Sequence, residues 1–117
     1  MSDEIVIYHN PRCSKSRAAL QLLQERGIEP QIIEYLKTPP SAARLRELLA
    51  MLDMAPRDLM RKGEAPYKDL GLADSGLDDD TLIAAMVENP ILIERAIVVA
   101  GARAKLGRPP EQILELL

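Results

Sequence analysis

Short apolar runs alternate with amphipathic segments along the chain, which is the pattern of a mixed α/β protein. Residues 5–8 and residues 31–36 are rich in β-branched and aromatic side chains, and each run predicts a strand. Between them, apolar positions recur at helical spacing until Gly27, a residue that favours a helix end. A loop is expected at residues 9–11, so the chain begins β-α-β.

A helical block follows the second predicted strand. Leucines at positions 45, 48, 49 and 52 predict a helix after the break at residues 38–41. Residues 57–62 predict a short helical turn, residues 63–67 a loop, and residues 78–81 open a helix that ends near residues 88–90. The pattern therefore predicts a helical insertion at about residues 41–89.

The end of the chain returns to strands. Residues 91–93 and 96–100 are strand-like, Gly101 suits a turn, and a short strand around residues 104–106 precedes a last helix from Pro109. The order is then β-α-β, helical block, β-β-α. The sequence predicts one α/β domain over residues 1–117.

Composition narrows the class of protein. The 117 residues are 47% hydrophobic and 28% charged, which suits one domain with a real core. Three Tyr without Phe or Trp leave no base-stacking platform, and a net charge of −3 disfavours a nucleic-acid partner. No apolar run reaches the roughly 18 residues of a membrane span, and the acidic start is unlike a secretory signal. We therefore expect a cytoplasmic protein.

Cys13 is the only cysteine and His9 the only histidine, so neither a disulfide nor a multi-cysteine zinc site is expected. Cys13 falls at a predicted helix start, near Arg12, Lys15 and Arg17. Helix N-terminal N–H groups and neighbouring cations lower the pKa of a thiol and make it nucleophilic. A reactive thiol is therefore the main hypothesis, and a buried, inert cysteine is the alternative.

The polar neighbours of Cys13 each have two interpretations. His9 either stabilises a thiolate as imidazolium or ends the strand as a surface residue. Ser14 and Ser16 suit helix caps, and Ser16 also completes a Cys-x-x-Ser motif. This motif lacks a resolving thiol, so an oxidised Cys13 needs an outside thiol such as glutathione. A phosphatase loop would need arginine where Ala19 stands.

Residues 7–17, which include Cys13, resemble the active-site segment of the glutaredoxin-coupled arsenate reductases. Four further segments resemble that family in the same order, at residues 35–39, 59–67, 89–95 and 107–111. The resemblance covers nearly the whole chain. It implies a thioredoxin-like, glutaredoxin-like fold with a helical insertion.

The same resemblance implies roles for individual residues. Cys13 matches the nucleophile, His9 a residue that helps to hold the thiolate, and Ser16 a hydroxyl near it. The oxyanion would be bound by three arginines, Arg61, Arg95 and Arg108. Spacing alone does not bring these arginines together.

The implied reaction begins when the Cys13 thiolate attacks arsenate and forms an arsenylated cysteine. Glutathione then attacks this adduct and glutaredoxin resolves the product, so glutathione is a co-substrate and no bound cofactor is expected. The alternatives are a glutathione-dependent enzyme acting on another oxidant, and a regulator similar to the Spx-type proteins that bind RNA polymerase. The Spx-type regulators usually carry Cys-x-x-Cys, which this chain lacks.

The chain departs from the family pattern after Arg95, where Ala96 replaces the usual cis-proline. Either the bond before Ala96 stays cis, at a cost of about 3 kcal/mol, or it becomes trans and Arg95 moves. On this basis, Ala96→Pro is expected to raise stability or oxyanion affinity.

Overall fold

The computed structural model describes residues 4–107 and 109–117. This part of the chain forms four strands and four α-helices. In chain order they are β1 (Ile5–His9), α1 (Ser14–Glu25), β2 (Gln31–Glu34), α2 (Ala42–Leu52), α3 (Ala65–Asp69), α4 (Asp79–Glu88), β3 (Ile97–Ala100) and β4 (Arg103–Leu106). Short 3-10 helices span Pro56–Leu59, Pro90–Leu92 and Pro110–Leu116.

The chain divides into two compact units. The first comprises Met1–Thr38 and Arg95–Leu117, and the second comprises Pro39–Glu94. The single domain expected over residues 1–117 stays a prediction, and the units are described in turn.

The first unit contains a four-stranded sheet in the order β2-β1-β3-β4. β1 runs parallel to β2 and antiparallel to β3, which in turn runs antiparallel to β4. Helix α1 makes the crossover that a parallel β1–β2 pair requires. The predicted α/β class and the thioredoxin-like β-α-β…β-β-α arrangement are confirmed.

The core of the first unit lies between the sheet and two helical segments. Ile7 of β1, Leu23 of α1, Val98 of β3 and Ile113 of the last 3-10 helix are completely buried together. Gly107 lies against this core, since a Cβ there would come within 3.1 Å of a neighbouring alanine Cβ. A larger residue at position 107 would push the last 3-10 helix segment and α1 apart.

Helix α1 begins differently from the prediction. Cys13 occupies the N-cap position, and its side chain makes no capping hydrogen bond. The prediction of a serine cap is wrong, because Ser14 and Ser16 both lie inside the helix and Ser16 is fully buried. At the other end, Gly27 adopts φ +75° just after the helix, so the predicted stop is confirmed.

The second unit contains α2, α3 and α4. The leucine spacing correctly predicted α2, whose Leu45, Leu48 and Leu49 are buried. The Ser41 side chain accepts a hydrogen bond from the backbone N–H of residue 44 at 3.1 Å and caps this helix. Asp78 caps α4 in the same way, through the backbone N–H of residue 81 at 2.8 Å.

Four local predictions differ from the structure, three in the type of element and one in its length. Residues 63–67 were expected in a loop, but Ala65–Asp69 forms α3, which starts on a proline in its first turn. Residues 91–93 were expected in a strand, but Pro90–Leu92 is a 3-10 helix, and only Ile93 makes an isolated bridge, to Met60. The last helix is 3-10 over Pro110–Leu116. The second strand ends two residues early, because a turn closes onto the carbonyl of residue 34.

Candidate active site

Cys13 lies where the loop after β1 enters α1. Its backbone N–H donates to the carbonyl of Asn10 at 3.0 Å, and its own carbonyl accepts from the N–H of Arg17 at 3.0 Å. Its backbone is extended, with φ −98° and ψ 125°, and its side chain is partly exposed. This exposure contradicts the alternative of a buried, inert thiol.

The surroundings of Cys13 favour a thiolate. Burial raises the pKa of the thiol, but four interactions lower it, and the pKa lies below its ordinary value. The Nε of Arg95 donates a hydrogen bond to Sγ, the backbone N–H groups of Ser16 and Lys15 donate to the sulfur, and the Arg95 charge attracts the anion. Arg95 and the first turn of α1 therefore act on the same sulfur atom.

His9 and Ser16 form a buried polar contact behind this helix start. His9 Nδ1 lies 2.7 Å from Ser16 Oγ, and the backbone N–H of Asn10 donates to the same hydroxyl at 3.0 Å. His9 is only 6% exposed, so the alternative of a surface histidine is wrong. The hydroxyl joins the end of β1 to the first turn of α1, directly after Cys13.

Burial lowers the pKa of His9 below 6.5, and this effect exceeds the opposing attraction of Glu34; Arg17 adds a smaller lowering. The ring is therefore neutral at pH 7. At that pH, His9 contacts the Ser16 hydroxyl as a neutral imidazole and not as an imidazolium.

Asn10 also shapes the site, although the sequence only indicated that it lies in a loop. Its Oδ1 accepts from the backbone N–H of Arg12 at 3.0 Å, and its carbonyl accepts from Cys13. These two bonds close the turn that presents the cysteine. Asparagine before proline is a turn signal that makes such an arrangement predictable.

The structure describes two of the three arginines that were predicted to bind the oxyanion, and it places them differently. Arg95 contacts Cys13, and the bond between Arg95 and Ala96 is cis, which is the first of the two alternatives. Arg61 belongs to the second unit, where its side chain pairs with Glu64 at 2.7 Å. Arg108 lies outside the described residues, and its predicted role stays a prediction.

The described part of the chain has neither a cluster of metal-ligating side chains nor a membrane-spanning helix. In residues 4–107 and 109–117, no three His, Cys, Asp or Glu side chains are grouped so as to hold a metal ion. Each helix there is too short or too polar to cross a bilayer.

Comparison with known proteins identifies the family to which the chain belongs. The model of the ArsC family matches residues 8–116, which is nearly the whole chain. This chain belongs to the ArsC family. The resemblance inferred from the motifs is thereby confirmed at the level of that family.

Three relatives of this ArsC protein are informative. An arsenate reductase of Neisseria meningitidis serogroup A is 49% identical over 97% of this chain and 98% of its own length. The structure of an arsenate reductase from Vibrio cholerae is 53% identical, covers both chains completely and has a TM-score of 0.97. YfgD of Escherichia coli K12, an uncharacterized protein, is 57% identical over 100% of this chain and 99% of its own length.

Proposed function

We propose that this ArsC-family protein reduces arsenate to arsenite, with Cys13 as the nucleophile. The contact that carries the proposal is the hydrogen bond from Arg95 Nε to Cys13 Sγ, because it joins a thiolate to a cation beside the helix start. Relatives named arsenate reductases, at 49% and 53% identity over nearly the whole chain, support this choice of substrate.

In the first proposed step, the Cys13 thiolate attacks arsenic(V). An S–As bond forms, an As–O bond breaks, and the oxygen leaves as water after protonation. Arg95 lies at the sulfur and can balance the charge that passes to the arsenate oxygens. Arg61 and Arg108 stay predicted arsenate ligands on the strength of the family resemblance.

In the second proposed step, an outside thiol supplies electrons, because Cys13 is the only cysteine in the chain. A glutathione thiolate attacks the arsenic of the arsenylated cysteine, and a second oxygen leaves as water after protonation. A glutaredoxin thiolate then attacks the glutathione sulfur, and the S–As bond to glutathione breaks with its electron pair left on arsenic. The glutathione and glutaredoxin thiols become one disulfide, and arsenic gains two electrons. Water then displaces the Cys13 sulfur from arsenic(III), so arsenite leaves and Cys13 is restored as thiolate. The proposed chemistry uses glutathione as a co-substrate and needs no resident cofactor.

The test is arsenate-dependent NADPH oxidation in the presence of glutathione, glutaredoxin and glutathione reductase. We expect turnover by the wild type and none by Cys13→Ser, which replaces only the nucleophilic atom. Ser14→Ala is the matched control, since Ser14 is the exposed neighbour of Cys13, and it should retain turnover.

Absence of arsenate turnover in the wild type would overturn the proposal. If Cys13 were nevertheless alkylated rapidly near pH 7, the reactive thiol would remain and the substrate would be another oxidant. Turnover retained in Cys13→Ser would instead remove the cysteine from the mechanism.

A further inference from the structure

A cavity of about 240 Å³ opens beside the loop that presents Cys13. Its walls come from that loop and from the turn after β2, within the first unit. The lining residues are Asn10, Pro11, Arg12, Glu34, Leu36 and Lys37. At about 30 Å³ per water molecule, the cavity has room for about eight waters. A ligand group of the size of one amino acid fits in this volume.

The charges on the lining are of both signs. Arg12 and Lys37 supply two cations, and Glu34 supplies a carboxylate. The Glu34 and Lys37 side chains form an ion pair at 3.8 Å, with the side chains 41% and 78% exposed. An exposed pair of this kind contributes little to stability, so both groups can turn to a ligand at small cost.

Asn10 adds a neutral donor. The residue is 7% exposed and its Oδ1 is held by the backbone N–H of Arg12. Within the described part of the chain, its Nδ2 group donates no side-chain hydrogen bond. No buried side-chain nitrogen or oxygen among the described residues lacks a partner, so this amide group reaches solvent and can donate to water or to a ligand.

We propose that this cavity binds the γ-glutamyl end of glutathione, an inference that rests on the proposed use of glutathione as co-substrate. The γ-glutamyl end is an α-amino acid, so it carries one ammonium and one carboxylate. Glu34 binds the ammonium, and Arg12 and Lys37 bind the carboxylate. The Asn10 amide donates to an oxygen of the same group, and Leu36 covers its methylene chain.

The position of the cavity suits the reaction. Arg12 directly precedes Cys13, so their Cα atoms are about 3.8 Å apart. In glutathione, the γ-glutamyl carboxylate and the thiol are separated by nearly three residues of extended chain, or roughly 9 Å. A γ-glutamyl group held at Arg12 therefore leaves the thiol within reach of the neighbouring residue.

Thiol–disulfide exchange tests this subsite without arsenate. The Cys13 thiolate attacks a symmetrical disulfide, a new S–S bond joins Cys13 to one half, and the other half leaves as thiolate. Rates are measured by mass spectrometry with the disulfides of glutathione, γ-glutamylcysteine, cysteinylglycine and 2-mercaptoethanol. We expect the two γ-glutamyl disulfides to react faster than the other two.

The variants Glu34→Gln and Lys37→Ala are compared with Lys68→Ala, an exposed lysine of α3 that does not line the cavity. The readout is the rate with glutathione disulfide divided by the rate with 2-mercaptoethanol disulfide, since this ratio cancels changes in the reactivity of Cys13 itself. Each cavity variant should lower the ratio about fivefold, and Lys68→Ala should leave it unchanged.

Equal rates with cysteinylglycine and γ-glutamylcysteine disulfides, or an unchanged ratio in both cavity variants, would overturn the subsite. Failure of the proposed function has a different signature, namely no arsenate turnover with any thiol. A γ-glutamyl preference in exchange combined with no arsenate turnover would keep the subsite and reject arsenate as the substrate.

Discussion

Replacing Arg95 with alanine removes the hydrogen bond from Nε to Cys13 Sγ together with the positive charge beside the sulfur. A hydrogen bond to a charged group contributes about 1.5–3 kcal/mol. Both side chains are partly exposed, so the lower end of this range applies. About 1.5 kcal/mol corresponds to a roughly tenfold smaller thiolate population at a pH below the thiol pKa.

The observed rate changes less than the population, because a more basic thiolate is also more nucleophilic. With a Brønsted coefficient of about 0.5, the tenfold loss of thiolate is partly offset by a roughly threefold gain in nucleophilicity. Alkylation of Cys13 by iodoacetamide should therefore slow about threefold in Arg95→Ala near neutral pH.

The pH profile separates this explanation from a structural one. The pKa of Cys13 is lowered in the wild type, so loss of Arg95 moves the rise in alkylation rate to higher pH. Above both pKa values, the variant should react at least as fast as the wild type. An identical profile, or the same slowing at every pH from 5 to 9, would refute the reasoning.

Arg103→Ala is the matched control for this experiment. Arg103 is an arginine of β4 in the same unit, and its guanidinium donates to the carbonyl of Glu115 at 3.1 Å. Arg103 is not among the groups that shift the pKa of Cys13. Its removal should leave the alkylation profile of Cys13 unchanged.

Three further predictions concern stability. The pKa of His9 is lower in the folded protein than in the unfolded chain, so the free energy of unfolding falls as the pH drops through 6.5. His9→Gln should flatten the dependence of this free energy on pH, as measured by urea denaturation. An unchanged dependence would contradict the argument. Ser16→Ala leaves the buried His9 ring and the Asn10 N–H without their partner and should lower the free energy of unfolding by about 1–3 kcal/mol. The exposed control Ser14→Ala should lower it by about 0.5 kcal/mol or less. Equal losses would count against these hydrogen bonds. Arg57 donates to the Tyr67 hydroxyl and to the backbone carbonyls at positions 72 and 74, and these bonds restrain the segment 70–74. Arg57→Ala should therefore speed amide hydrogen exchange in residues 70–74. Unaltered exchange would argue against this restraint.

Hydrophobic periodicity predicted helices that bury an apolar face, and capping residues predicted where helices begin. Helix α2 has leucines at the spacing of one helical face, and α4 opens on a capping aspartate. The apolar run at residues 91–93 misled because it is short and follows Pro90, whose fixed φ favours a helical turn. Such a run does not distinguish a strand from a buried turn without its tertiary neighbours.

The site was predictable to the extent that it is local. Cys13 at a helix start follows from residues adjacent to it, and so does the turn at Asn10. The burial of Ser16 against His9 does not, because a serine near a helix start suits an exposed cap equally well. Contact between Arg95 and Cys13 depends on how β3 is placed beside β1, which residue spacing does not encode.

The pairing of Cys13 with Arg95 has a consequence for the growing chain. The two residues are 82 positions apart, so the cysteine leaves the ribosome long before its guanidinium partner exists. At about 5–20 residues per second, the delay is roughly 4–16 s. During that interval the thiol lacks the hydrogen bond that lowers its pKa most, and it is protected from premature oxidation or alkylation by its own ordinary basicity. The full reactivity of Cys13 is therefore reached only after Arg95 has been synthesised and has folded against it.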